Sequence, residues 1–183
     1  MPSYRHRSKL PVPREAVFDW HARPGAFDRL SPPWQDVEVV QRPSGLEVGT
    51  RAVLRVPVGP FRKRWVAEHT RLEPGHAFED VQREGPFAAW RHEHRMTSDG
   101  PHASVLEDRI DYELPLAPLG RWLGGASVRR QLEQLFAYRH TTTAQDLRLH
   151  ARAGEARPLH VLLAGGSGLI GSALVPFLLT GGP

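Results

Sequence analysis

Apolar and polar residues alternate along most of the first 114 positions and then recur at a helical spacing, so two kinds of element are predicted in succession. Tyr4 to Leu10 reads as a strand. Pro13 then marks a helix start in VPREAVFDWHA, where Val17, Phe18 and Trp20 follow, and GAFDRL makes a second short helix ending before Pro32 and Pro33. Six extended segments come next: DVEVV, TRAVLRVPV, KRWVAEHTRL, AFEDVQRE, AAWRHEHRMTS and ASVLEDRIDYEL, separated by Gly, Pro, Asp and Ser. Connections as short as EPGH and SDGPH predict antiparallel neighbours, because a parallel crossover needs a dozen residues or more. The two GPF triplets, Gly59 to Phe61 and Gly85 to Phe87, read as hairpin turns. From Leu119 to about Leu149 one long helix is predicted, with Val128, Leu132, Leu135, Phe136 and Leu147 on one stripe and Arg129, Arg130 and Arg139 on the other side.

An antiparallel sheet of this kind must bury one face, and the long helix offers the matching stripe. The expected class is α+β, a sheet wrapped around a long C-terminal helix. This order of elements resembles the helix-grip fold of the START-like, or Bet v 1-like, superfamily, the polyketide cyclase/dehydrase and lipid transport group. WHARPGAFDRLSPPW, FEDVQREGPFAAWRHEHRM, LEDRIDYELPLAPLG and FAYRHTTTAQDL carry the resemblance to the N-terminal domain found fused to a sugar-epimerase-like oxidoreductase. It covers most of residues 1–150 and implies an apolar ligand cavity between sheet and helix.

Residues 151–158 read as a polar, Ala/Gly/Pro-containing linker, and a different unit is expected over 159–183. A buried strand is predicted at Leu159 to Leu163, then a turn containing Gly165, Gly166, Ser167, Gly168, Leu169, Ile170 and Gly171, then an apolar helix to about Leu179. Glycines set between a strand and a helix permit a tight turn, let backbone approach a pyrophosphate and let the helix pack closely on the strand, while the helix N-terminus offers free N–H groups. The stretch resembles the start of an extended short-chain dehydrogenase/reductase domain of the NAD(P)-dependent epimerase/dehydratase group, a truncated Rossmann βα unit whose turn residues would bind the cofactor. Neither the ribose-binding acid, expected about 20 residues further on, nor a Tyr-x-x-x-Lys pair is present, since Tyr4, Tyr112 and Tyr138 are followed four positions later by Ser8, Leu116 and Thr142. NAD or NADP is therefore expected of a full-length parent oxidoreductase and not of this chain, which is expected to be inactive in redox chemistry. A lone βα unit cannot bury both faces of its strand, so Val161 to Leu163 and Leu174 to Leu179 are expected to dock on another surface or on another copy of the chain, or to be disordered.

Composition adjusts this picture little. With 40% hydrophobic and 24% charged residues the chain can bury a core, and 17 Gly and 17 Pro are spread among its turns. It has no cysteine, which excludes disulfides and thiolate metal sites. No signal core or bilayer-length apolar run is present, so a soluble cytoplasmic protein without a membrane partner is expected. The net charge of +4 raises nucleic acid as a partner, but basic residues alternate with acids, as in RHEHR and LEDRIDYE, and the clusters YRHRSK and FRKR read as solvated turns and strand faces. Nucleic acid is not expected as a partner.

Strand alternation sends Trp90, His92, His94 and Met96 to one face, inward, together with Phe78, Asp80 and Gln82, with Leu106, Asp108, Ile110, Tyr112 and Leu114, and with Trp65, Ala67 and His69. The candidate ligand-cavity residues are Trp65, His69, Asp80, Trp90, His92, His94, Asp108 and Tyr112, and the ligand expected is a hydrophobic small molecule. Burying these histidines and aspartates unpaired is costly, so pairing among themselves is the first reading and ligand contact the second. His92 and His94 are also spaced to share a metal, with Asp80, Asp108 or His69 as further ligands, although no metal is assigned on spacing alone. For a cyclase-type enzyme acting in the first domain, His92 with Asp108 is the acid/base pair; a non-catalytic binding module is the other alternative. Trp20 and Trp34 bracket the short helices; core packing is the first reading for both, and a cavity lid formed by SPPW is the alternative.

Overall fold

The computed structural model describes residues 1–115, 119–154 and 160–182, and the side chains of all of these except 119–124. Seven strands, β1 (Ser3–Leu10), β2 (Glu38–Gln41), β3 (Arg51–Val58), β4 (Phe61–Glu73), β5 (Ala77–Glu84), β6 (Ala89–Ser98) and β7 (Ser104–Glu113), form one sheet. Its order is β1-β7-β6-β5-β4-β3-β2 and every pair is antiparallel, so β2 to β7 are a plain meander and β1 joins at the β7 edge. The short helices α1 (Arg14–Ala22) and α2 (Ala26–Arg29) lie between β1 and β2, and α3 (Leu119–Ala153) follows β7. This is the helix-grip arrangement.

The alternation in β6 and β7 is carried out as the sequence predicts. Trp90, His92, His94 and Met96 are buried between exposed or half-buried neighbours, and so are Leu106, Asp108, Ile110, Tyr112 and Leu114. Two apolar clusters result. One joins Leu10, Val17, Trp20, Phe78, Met96 and Leu106 to Leu147 of α3; the other joins Tyr4, Trp90, Ile110 and Tyr112 to Leu132 and Phe136 of α3. Along β6, β7 and α3 alike, the residues between the clusters are polar: His92 and His94, Asp108, and His140 with Thr143. The interior is thus layered, apolar, polar, apolar, along the length of α3.

A fourth helix, α4 (Leu169–Thr180), docks outside the grip on α2 and the end of α3. The ring of Phe177 stacks on His150 at 4.6 Å between centroids and lies beneath the Arg29 guanidinium, while Arg23 Nη1 donates to the Thr180 carbonyl at 2.9 Å. Arg29 also holds the buried Asp146 carboxylate in a two-pronged pair at 2.7 and 2.8 Å, so one side chain ties α2 to both α3 and α4. Gly25, at φ +93°, stands where a Cβ would come within 2.5 Å of the Pro176 carbonyl oxygen.

Four expectations are corrected. His160–Leu163 do not form a strand, and Val161 and Leu162 are exposed, because an isolated parallel strand has no neighbour to take its backbone hydrogen bonds; Leu159 lies outside the described residues. Residues 151–153 of the linker continue α3, Gly154 is a turn, and 155–158 lie outside the described residues. Trp34 is 58% exposed, leaning edge-on against Tyr138 after the Pro32–Pro33 pair, whereas Trp20 is fully buried as expected. Arg139 does not face solvent: it donates to the Leu30 carbonyl at 3.0 Å and lies over Phe136. The apolar part of α4 buries only Gly171, Pro176 and Thr180 fully, and leaves Leu169 and Ile170 exposed. Among the described residues no helix is long and apolar enough to cross a membrane.

Phe136 is completely buried at the centre of the second cluster. Phe136→Ala is expected to cost about 3–5 kcal/mol, and Trp34→Ala about 1 kcal/mol or less. Urea unfolding of the two variants checks this difference.

Candidate functional site

The polar layer is assembled by strand register. His69 of β4 faces Asp80 of β5, Asp80 faces His92 of β6, and His94 faces Asp108 of β7, which in turn faces His6 of β1. Side chains on one face of neighbouring antiparallel strands stand about 5 Å apart, so this register lays a diagonal band of imidazoles and carboxylates across five strands. From above, α3 lowers His140 onto it, one turn beyond Phe136, and α1 brings His21, whose Nδ1 donates to the Val17 carbonyl at 2.8 Å.

Asp108 is the centre. His92 donates from Nε2 to its Oδ1 at 2.7 Å, and His140 donates from Nε2 to its Oδ2 at 2.5 Å. His94 Nδ1 approaches Oδ1 to 2.7 Å without the alignment of a hydrogen bond and has no other partner. On the opposite side of His92, Nδ1 stands 3.3 Å from Asp80 Oδ2. The rings of His92 and His94 are 3.9 Å apart, and Phe78 stacks on the far side of His94 at 4.1 Å.

These contacts set the charge states. Burial alone would raise the pKa of Asp108, but the adjacent His94 and the hydrogen bonds from His140 and His92 outweigh it and hold the carboxyl well below its ordinary value. For His92, burial disfavours the charged form, yet hydrogen bonds to Asp108 and Asp80 prevail and carry it up to about 9. His94 goes the other way, to about 3, because burial and the nearby His92 charge both disfavour a second cation. Burial likewise lowers His21 to about 4. Two histidines two residues apart therefore hold opposite protonation states at neutral pH.

The sequence-derived candidates fall into two groups. His69, Asp80, His92, His94 and Asp108 form the band, while Trp65, Trp90 and Tyr112 make an aromatic wall with Phe87, where Trp65 meets Trp90 at 5.2 Å and 83°. A cavity of about 10 Å³, room for about one water, lies between the band and α3 against His21, His94, Asp108, Arg139 and His140. A wider surface depression of about 460 Å³, at Pro11, Val12, Arg148, Ala151 and Arg152, contains none of these groups. His140, His21 and His6 were missed by the reading of strands β4 to β7. His140 interrupts the apolar stripe four residues after Phe136, and His6 alternates with Tyr4 and Leu10, so both were signalled by polar residues at inward positions. The glycine-rich segment lies apart from the band: Gly165 takes φ +77°, and a Cβ on Gly171 would collide with the backbone of Gly165 and Gly166.

Opposed protonation gives a pH signature. The raised His92 contributes stability that is fully present below about 6.5 and is lost as pH rises through about 9, whereas the depressed His21 and His94 contribute stability present above about 6.5 and lost as pH falls through about 4 and about 3. For His92 the gap is worth about 3 kcal/mol. The melting temperature in metal-free buffer is expected to peak near pH 6.5, and His92→Gln is expected to remove the alkaline limb while the acid limb from the buried His21 remains. Asp108→Asn, which leaves a buried imidazolium without its main counter-charge, is expected to cost about 3–5 kcal/mol in denaturant unfolding at pH 7.

Similarity to known proteins agrees with this architecture. The family model described as polyketide cyclase / dehydrase and lipid transport matches residues 10–136. Among solved structures, a nucleoside-diphosphate sugar epimerase from Corynebacterium glutamicum is 31% identical with a TM-score of 0.75; the match covers 98% of this chain and 37% of the epimerase chain. A START superfamily protein from Mycobacterium smegmatis matches at 11% identity and TM-score 0.59 over 80% of this chain and 97% of that one. An aromatase/cyclase from Streptomyces sp. R1128 matches at 17% and 0.56 over 87% and 99%. At such identities the last two share the fold. No curated protein matches the sequence. Because the family model runs from the end of β1 to the middle of α3 and so contains most of the sheet and nearly all of the polar band, the chain belongs to the polyketide cyclase / dehydrase and lipid transport family.

Proposed function

We propose that residues 1–150 bind a hydrophobic small molecule on the inward face of the sheet, and that the chain forms the N-terminal part of a longer NAD(P)-dependent, epimerase-like oxidoreductase. The observation that carries the first half is the convergence of His92, His94 and His140 on one buried carboxylate, Asp108, next to an aromatic wall. Titratable side chains are uncommon at the centre of a core, whereas a ligand site needs a few convergent polar groups within apolar walls. In this reading Trp65, Trp90 and Tyr112 contact the apolar body of the ligand and His94 and Asp108 its polar end, which the water-sized cavity beside His140 adjoins.

The second half rests on the likeness to the sugar epimerase, which runs through the glycine-rich segment, and the chain spans 37% of that protein's length. The left-handed Gly165 and the close approach of Gly171 to the backbone of Gly165 and Gly166 support this half, and α4 begins within the same turn. His160–Leu163 do not form the strand that would complete such a cradle, so NAD or NADP is a property of the longer protein and no chemical step is assigned to it here.

A second reading, a cyclase-type enzyme, is favoured by the 2.7 Å pairing of His92 with Asp108, in which a buried imidazolium faces a carboxylate. The two readings separate on turnover: a carrier retains its ligand unchanged.

Native mass spectrometry of the purified chain, alone and with NAD or NADP, followed by denaturation to release whatever is bound, tests the proposal. One apolar molecule per chain, no nucleotide, and at least tenfold weaker retention by His94→Gln are expected. A chain that emerges empty and takes up no apolar probe in 1:1 ratio would sink the ligand-binding reading.

A further inference from the structure

The spacing of His92 and His94 left metal binding open, and the folded arrangement of these residues with Asp80 now favours it. One nitrogen from each histidine and one oxygen from Asp80 lie within 4.8 Å of one another. Asp80 Oδ2 is 3.3 Å from His92 Nδ1 and 3.9 Å from His94 Nε2, close to the separations of about 3–4 Å between donors that each lie about 2.0–2.2 Å from one tetrahedral ion. The opposite edges of the two rings tell the same story. His92 Nε2 and His94 Nδ1 both lie 2.7 Å from the same oxygen of Asp108. Metal-bound histidines ordinarily direct their second ring nitrogen to a carboxylate that fixes the ring and strengthens the donor. Here one carboxylate lies against both rings, hydrogen-bonded to His92 and in close approach to His94.

We propose that Asp80, His92 and His94 bind a divalent transition-metal ion of the zinc class, with Asp108 as the positioning carboxylate behind both histidines. Several observations carry this together. His94 is buried, and its Nδ1 has no hydrogen-bonded partner despite lying beside Asp108, an arrangement that small rotation of the ring around a bound ion would correct. Phe78 stacks on the His94 ring at 4.1 Å and restricts its orientation. All three ligands come from two adjacent strands, whose pairing presets their separation. The donor set of two imidazoles and one carboxylate suits zinc-class ions and lacks the many oxygens that calcium or magnesium requires. Three protein ligands leave a fourth position open, as in metal sites that bind a water or a ligand atom. His69, opposite Asp80 on β4 with a buried, unpartnered Nδ1, is the neighbouring group along the row. The site does not depend on the small-molecule reading, since the ion is held by the sheet alone.

The test is titration of the chelator-stripped full chain with cobalt(II) chloride, read by visible absorption, followed by zinc chloride. One equivalent of cobalt giving the intense bands of a four-coordinate site, bleached by one equivalent of zinc, is expected. Asp108→Asn is expected to weaken cobalt binding by about 10- to 100-fold. Asp80→Asn and His94→Gln remove ligands and are expected to weaken it further, whereas His102→Ala, at an exposed histidine, leaves it unchanged. A measurement on the unaltered chain guards against variants that fail to fold: zinc should shift the imidazole ¹⁵N resonances of His92 and His94 and not those of His102 and His160. Absence of saturable 1:1 binding, or shifts confined to exposed histidines, would overturn the proposal and leave the cluster as an internal ion-pair network.

Discussion

An ionised carboxylate at the centre of a protein must be surrounded by donors or it is not tolerated. Asp108 is in that position, and its two oxygens draw partners from two separate elements, His92 from β6 and His140 from α3. For His140 to reach Oδ2, α3 must lie at one height and one rotation above the sheet. That rotation in turn places Phe136 and Leu132 over Trp90, Ile110 and Tyr112, and Leu147 over Met96 and Leu106. The packing of both apolar clusters is therefore tied to the polar contact between them. A uniformly apolar interface would let the helix slide or rotate at modest cost; a buried hydrogen-bonded charge does not.

A second buried carboxylate, Asp146 of α3, extends the same logic outward. Asp146 is fixed by Arg29, Arg29 covers Phe177, and Phe177 stacks on His150, so the chain of contacts runs from the helix through α2 to α4. Arg139 adds a bond to Leu30 at the end of α2. The short helices thus act as a bracket between the grip and the apolar C-terminal helix. Their attachments are mostly arginine and backbone oxygen, which explains why α4 is seated while much of its apolar surface, at Leu169, Ile170, Leu178 and Leu179, still faces outward.

At the polar layer, chemistry and stability meet. Two histidines on one strand differ in protonation because hydrogen bonds to Asp108 and Asp80 outweigh burial at His92, whereas at His94 burial and the neighbouring His92 charge prevail. A site poised in this way can hold a polar ligand end, transfer a proton or exchange its protons for an ion, and each of these uses the same inward side chains.

Much of this was legible in the chain. In β6, WRHEHRM alternates so strictly that Trp90, His92, His94 and Met96 had to share a face, because successive side chains of an extended backbone point to opposite sides. The long helix and the glycine-bearing turns followed from equally local rules. Other features were not legible. The stretch around Leu162 has the apolar composition of a strand but forms none, since a strand exists only where another strand supplies its hydrogen bonds. Trp34 and Arg139 were assigned to the wrong environments because their burial depends on α2 and α3 meeting across more than a hundred residues. By itself, the sequence determined the elements and which side chains face inward, both consequences of backbone geometry acting over a few residues. That Asp80, His92, His94, Asp108 and His140 meet at one point was decided by cross-strand register and the rotation of α3, which come from contacts between segments remote in sequence.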